Sequence, residues 1–361
     1  MPISPAAQGT RIQSLDGLRA ISILAVIAGH ATGTRAFPDW LNQLIQNDVV
    51  DIANLGVRVF FVISGFLITG LLKGERNRTG SIDLAKFFFR RTFRIFPAYA
   101  VFLIGLWFLT VAGVTELTNR DFLHALTYTT NYHIGRSWEV GHLWSLAVEE
   151  QFYLLWPLAF RAFGENHGRR ALWAVVVVIP LWRVAQSMYF PEYRALIGNS
   201  FETTADALAV GCLLSLYQAE LPKYGRFARR ASSWWSVAAL LLIGLVFSAR
   251  YRPALLLGIP MVNFAIAGAV ARVTWSPDTI AGRFLNKPVM MRIGVLSYSL
   301  YLWQQVFLNR HSNGWWASFP VHFILSITLA WLSHKLVERP FLVWRETLEK
   351  RVFNHAADGV R

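Results

Sequence analysis

The stretch DGLRAISILAVIAGHAT, residues 16–32, decides how the rest of the chain is read. It is apolar enough and long enough to cross a bilayer, yet Arg19 stands near its start and His30 near its end. On a helix of 3.6 residues per turn, the eleven steps between them make about 1100°, roughly three turns plus 20°. Both side chains therefore face one way, about 16 Å apart along the axis. An ionisable side chain inside a membrane span costs roughly 3 kcal/mol or more, so it marks a functional site by default. The pattern predicts one wall of a polar channel or active site.

Working outward, the 361 residues are 54% hydrophobic and only 16% charged, against about 25% charged in a soluble domain. This is the composition of an integral membrane protein, with apolar runs of about 20 residues between basic loops. The single Cys212 excludes an internal disulfide. The net charge of +14 reads as the positive-inside bias of cytoplasmic loops rather than as affinity for nucleic acid. A basic cytoplasmic face would also suit an anionic cofactor. The N-terminus lacks a cleavable signal pattern, so the first span is expected to remain.

Ten spans are predicted, at about 17–34, 54–72, 95–114, 143–161, 171–188, 201–218, 234–249, 254–273, 293–310 and 318–337. The stretch 121–140 is too polar to span and is expected to fold back onto the outer surface. With the N-terminus cytoplasmic, 26 of the 35 Lys and Arg fall on inner segments, seven of them between Lys73 and Arg94. Arg11 is another, and four more run from Lys223 to Arg230. This asymmetry places both termini in the cytoplasm; Asp39, Asp48 and Asp51 fall outside. No internal repeat is evident. Residues 1–343 read as one all-α membrane domain. The tail 344–361 is basic and amphipathic, expected on the inner surface or partly disordered.

Several residues carry candidate chemistry. His30 is either a packing histidine or a general base, since a neutral imidazole accepts a hydroxyl proton near neutral pH. Arg19 cannot lose its proton and needs a carboxylate or phosphate; Asp16, three residues earlier, is the plainer partner. In SLAVEEQFYLLWP, residues 145–157, Glu149 and Glu150 diverge by about 100° and cannot serve one partner. One of them is expected to orient His30 or a basic residue. His142 lies two turns before Glu149 on nearly the same face, an arrangement that recurs where a carboxylate fixes an imidazole. A buried structural ion pair is the alternative.

Arg90, Arg91 and Arg94 stand at the inner mouth of the third span. Their planar forks suit phosphate oxygens, although anchoring on lipid headgroups explains such residues equally. Asp206, with Glu202 one turn earlier, either binds a substrate hydroxyl or neutralises Arg19 or Arg183. Gln304 and Gln305 put amides into the ninth span, where they need partners. Trp138 and Trp144, near the outer mouth, are either interfacial belt residues or a platform for a sugar ring. No metal site is expected.

Taken in order, seven motifs resemble the membrane-bound acyltransferase 3 family, whose members acylate envelope polysaccharides and other hydroxyl acceptors. They are LDGLRAISILAVIAGH (15–30), FFVISGFLITGLL (60–72), FFRRTFRIFPAY (88–99), HLWSLAVEEQFYLLWP (142–157), DALAVGCLLS (206–215), SYSLYLWQQ (297–305) and LVERPF (336–341). The resemblance covers about residues 11–343. It implies ten core helices in a bacterial inner membrane and an acyl-CoA donor, by family habit acetyl-CoA, approaching from the cytoplasm. The family's histidine corresponds to His30, its paired arginine to Arg19, and its arginine–two residues–arginine element to Arg91 and Arg94. Where relatives often carry a histidine, this chain has Gln304, which concentrates proton transfer on His30. Thr204 stands where relatives often carry arginine. The periplasmic hydrolase-like domain of some relatives has no counterpart, so both half-reactions are expected to fall to the membrane domain or a partner.

The leading expectation is an O-acyltransferase working between acyl-CoA and a sugar or glycan hydroxyl. Arg90, Arg91 and Arg94 would hold the donor's anionic end. His30 would act as base, with Glu149 or Glu150 orienting it or the acceptor. Asp206, His142, Trp144 and Gln304 would line the acceptor site. A covalent acyl-histidine relay is a variant. The rival is a proton-coupled transporter using the same ionisable residues. Against it stand the missing inverted repeat and the arginines gathered at one mouth. A non-catalytic scaffold fits poorly with so many buried ionisable groups.

Overall fold

The computed structural model describes residues 12–45, 51–220 and 230–354. Arg11, Asp48, the residues from Lys223 to Arg229 and the tail from 355 onward lie outside the described residues. The fold is all helical: α1 Gln13–Ala31, α2 Asp39–Ile45, α3 Ile52–Thr79, α4 Leu84–Val111, α5 Asn119–Leu126, α6 Trp138–Gly141 and α7 Leu143–Tyr189 make the first half. The second half holds α8 Ala205–Tyr217, α9 Trp234–Ser248, α10 Ile259–Trp275, α11 Ile280–Leu285, α12 Pro288–Phe307, α13 Val321–Ser333 and α14 Arg339–Glu349. Gly164, at φ 71°, breaks α7 into two arms, which correspond to the fourth and fifth spans read from sequence.

Among the described residues, five stretches are long and apolar enough to cross a bilayer: Gln13–Ala31, Ile52–Thr79, Leu84–Val111, Trp138–Tyr189 and Tyr251–Trp275. The chain is a multi-pass membrane protein. All ten predicted spans fall on helices, but not all meet that standard. α8 and α9 are apolar with only 13 and 15 residues, against about 20 for a full crossing. The last span is interrupted by a π turn at His334–Glu338.

Glycines let the central helices touch backbone to backbone. Gly65 of α3 abuts the Leu208 carbonyl of α8, and Gly211 of α8 abuts the Val62 carbonyl of α3; a Cβ at either would collide. Gly294 of α12 meets the Asp16 carbonyl of α1 in the same way. Between helices in lipid, where apolar burial gives little drive, such close approach supplies the packing.

The stretch 121–140 is mixed: Leu123, Leu126 and Ile134 are exposed, while its middle turns into the bundle, with Thr130 and Asn131 fully buried. Gln151 holds it from eight residues inside α7, about 12 Å along the axis. Its amide donates to the Tyr128 carbonyl and to Asn131 Oδ1, both at 3.0 Å, and accepts from Asn131 Nδ2 at 3.1 Å. Tyr99 of α4 donates to the Ala125 carbonyl (2.9 Å) and stacks on Tyr128. The segment is too polar to span alone, but non-helical backbone is stable at depth when protein supplies its hydrogen bonds.

The tail is ordered as far as it is described. α14 and the turn Lys350–Asn354 pack on α4 through Trp344 against Phe93 and Phe353 against Phe89. The boundary drawn at residue 343 thus falls inside a helix.

Candidate active site

The last turn of α1 delivers His30 to a cavity of about 410 Å³. Asp51 and Asn54 from α3, Arg136 and Trp138 from the segment before α7, and His142 and Trp144 at its start share the lining. Trp138 sits edge-on to the imidazole with ring centroids 5.8 Å apart. Its indole N–H, shared by the carbonyls of Gln305 and Leu308 at 3.0 Å each, fixes it to the end of α12. His142 packs edge-on against Tyr301, whose hydroxyl donates to the His142 carbonyl. His30, Trp138, His142 and Trp144 are thereby brought together as the sequence suggests.

The group that orients His30 is Gln304, not a glutamate. Nδ1 of His30 lies 2.9 Å from Gln304 Oε1. With the amide oxygen accepting, Nδ1 carries the proton and Nε2 keeps its lone pair. Gln304 thus touches the His30 ring and stands behind it rather than in the lining.

Glu149 and Glu150 face elsewhere. Glu149 lies against Arg91 and Arg19, within reach of Ser64 and Tyr153, and those two hydroxyls hydrogen-bond each other. Glu150 lines a second cavity of about 350 Å³ with Arg91, Gln151 and Tyr128. The proposed carboxylate–imidazole pairing of Glu149 with His142 is not formed. Both glutamates lie in the field of Arg91 instead, and Glu150 shares a cavity wall with it.

Arg19 donates to Asp16 Oδ1 at 3.1 Å and neighbours Arg94. It does not line the cavity that His30 lines. The shared helical stripe therefore joins two sites, one at His30 at the C-terminal end of α1 and one near Arg19 at its N-terminal end, where Arg91 and Glu149 gather. The arginine trio is also divided. Arg90, half-exposed, makes a bidentate pair with Glu349 of α14, its Nε 2.9 Å from Oε2. Arg91 turns inward over the Tyr153 ring, 3.6 Å from its centroid, and its buried Nε has no hydrogen-bond partner among the described residues. Of the three, Arg91 is the one turned into the interior; Arg94 is exposed, and a surface carboxylate already occupies Arg90.

Asp206 neutralises Arg183, the second of the two roles open to it. The ion pair is buried at 0% and 2% side-chain exposure, and Asn263 donates to Asp206 Oδ2 at 3.1 Å. A substrate hydroxyl does not reach a carboxylate so enclosed. Glu202, nearer the surface, accepts from Tyr132.

Sequence reasoning passes over Asp51, Asn54 and Arg136. The signal for the first two is local: Asp51 accepts from Asn54 N–H (2.9 Å) as the N-cap of α3, and Asn54 stands one turn from Arg58. Arg136 is held by the carbonyls of Gly141 and His133 and by Asn199. Beside it, Asp121 knots the inserted segment. Burial pushes its carboxyl up, but hydrogen bonds from Ser137 and Thr118 outweigh burial and hold it down at about 2.

A profile described as an acyltransferase domain matches residues 12–335. The chain belongs to the acyltransferase 3 family. Over 91% of its length, this acyltransferase 3 chain is 31% identical to a Staphylococcus aureus (strain COL) protein named for O-acetyl transfer. It is 29% identical, again over 91% of its length, to the O-acetyltransferase OatA of Staphylococcus aureus (strain NCTC 8325 / PS 47). Each match takes in 57% of the relative, so the chain spans little more than half the length of the curated relatives it matches. No solved structure matches the acyltransferase 3 chain.

Proposed function

We propose that this chain moves an acyl group, acetyl by analogy with its relatives' names, from acyl-CoA to a hydroxyl of a sugar or glycan acceptor at a bacterial inner membrane. The observation that carries the reading is His30, held through Nδ1 by Gln304 with Nε2 left to a polar, aromatic-lined cavity. Trp138, Trp144 and Tyr301 offer ring faces and edges to a sugar, and Arg136 and Asp51 offer polar partners for its hydroxyls. Arg91, turned inward, and Arg94, exposed less than a turn away, supply the positive charge toward which an acyl-CoA donor, entering from the cytoplasmic side, directs its anionic groups.

The acceptor hydroxyl gives its proton to His30 Nε2 as its oxygen bonds to the thioester carbon. The carbon–sulfur bond then breaks, and the departing thiolate takes the proton from the imidazolium. Proton transfer of this kind contributes about 10²–10⁴-fold. Purified protein in detergent should transfer label from acetyl-CoA to an added glycan acceptor, with no sealed vesicle required, which separates an enzyme from a carrier. His30→Ala should insert and fold but transfer nothing. Parental transfer by that variant would overturn the mechanism.

A further inference from the structure

A chain of buried polar groups runs from the His30 cavity into the bundle, and its hydrogen-bond polarity is fixed. Arg58 of α3 is nearly inaccessible at 6% exposure. Its Nε donates to Asn54 Oδ1 at 2.9 Å and its Nη1 to Asn263 Oδ1 at 3.3 Å. Asn263 donates onward from Nδ2 to Asp206 Oδ2 at 3.1 Å, and Asp206 pairs with Arg183. Arg183 in turn donates to the carbonyls of Thr203 and Leu255.

A guanidinium has donors only, so whatever it meets must present an acceptor. Both asparagines therefore turn their oxygens to Arg58 and their NH2 groups away. For Asn263 the NH2 finds Asp206. For Asn54 it finds no acceptor among the described residues, and Asn54 lines the cavity shared by His30. The chain thus ends in a neutral donor presented to the reaction space.

We infer that Asn54 Nδ2 donates to the thioester carbonyl oxygen as negative charge develops there, with Arg58 as its positioning residue. This rests on the acyl-transfer reading above. When the acceptor oxygen bonds to the carbonyl carbon, the carbonyl π pair moves to oxygen, and it returns as the carbon–sulfur bond breaks. A donor already oriented toward that oxygen needs no rearrangement during the step. Within the chain Arg58 and Arg183 share one carboxylate, Asp206. Asp51, the cap of α3, puts a second carboxylate on the cavity wall and Arg136 a guanidinium, so the preference for an oxyanion rests on the fixed donor direction of Asn54 with the Arg58 guanidinium behind it.

The test is Asn54→Asp. The carboxylate still accepts from Arg58, so the buried chain keeps its partners, but the donor into the cavity becomes an acceptor. With labelled acetyl-CoA and glycan acceptor, kcat should fall by about 10²–10³-fold, as for loss of one oxyanion donor. The acceptor KM and the melting temperature should stay near parental. Arg58→Lys, which keeps the charge but cannot hold both asparagines, should lower kcat by a smaller factor. If Asn54→Asp fails to fold, Asn54→Ser reports the same loss of reach. Parental kcat in a folded Asn54 variant overturns the inference, and so does a rise in acceptor KM alone. A parental protein inactive toward every acceptor overturns the acyl-transfer reading itself, whereas an active parent with an equally active Asn54→Asp overturns only the role of Asn54.

Discussion

His30 Nδ1 stands 2.9 Å from Gln304 Oε1, joining α1 to α12 across 274 positions of sequence. The contact selects which imidazole nitrogen carries the proton. Gln304→Leu conserves bulk and removes the acceptor, so the ring can rotate and take either tautomer. A hydrogen bond of this kind is worth about 1 kcal/mol, and loss of tautomer selection adds to it. We expect kcat to fall about tenfold or more with folding intact, read from initial rates of label transfer. An unchanged kcat would show that the amide does not hold the base.

The Arg183–Asp206 pair should report on stability rather than chemistry. Removing one partner strands a buried charge, at a cost of about 3–5 kcal/mol. Arg183→Met alone should sharply lower the thermal unfolding temperature in detergent. Replacing both residues with apolar ones of similar size should recover much of the loss. Equal destabilisation of the single and double variants would contradict the pairing.

Asp121 predicts acid sensitivity of the inserted segment. Its folded carboxyl sits at about 2, below the unfolded value of about 3.9. The stabilisation it gives is therefore complete above about pH 4 and is lost as pH falls toward about 2; it amounts to about 2 kcal/mol. Protection factors over residues 118–137, each taken against the intrinsic exchange rate at that pH, should fall on going from pH 6 to pH 3. In Asp121→Asn they should be low at both. A segment equally protected at both pH values in the parental protein would refute the assignment.

Arg90 and Arg91 are adjacent in sequence and separate in role. Arg90 is an exposed partner of Glu349, and such pairs contribute about 0–1 kcal/mol. Arg91 lies over Tyr153 beside Glu149 and Glu150. Arg91→Ala should raise the KM for acetyl-CoA or abolish activity, whereas Arg90→Ala should change both parameters by less than about threefold. Steady-state kinetics decides; a larger effect at Arg90 would reverse the assignment.

Much of the helical layout is legible in the sequence because apolar runs and their basic flanks are one-dimensional signals. The Arg19–His30 spacing is legible as a stripe, but a stripe does not say whether its two ends share a room. Which carboxylate serves which cation is set by helix contacts, so Glu149 meets Arg91 rather than His142, and Gln304 rather than a glutamate meets His30. The inward turn at Thr130 and Asn131 is not legible, because its polar groups are satisfied by Gln151 and Tyr99, partners on other elements. Asn54 is overlooked because an asparagine near a helix start reads as capping chemistry.

The contact between Gly294 and the Asp16 carbonyl has a mechanical consequence. It pins α1 to α12 at the N-terminal end of α1, fourteen residues or about 21 Å from His30. The imidazole and the amide that steers it are thus the tips of a pair of calipers closed at the far end. A bulky side chain at position 294 would pry the tips apart without entering the cavity, and the fault would surface as a badly aimed base.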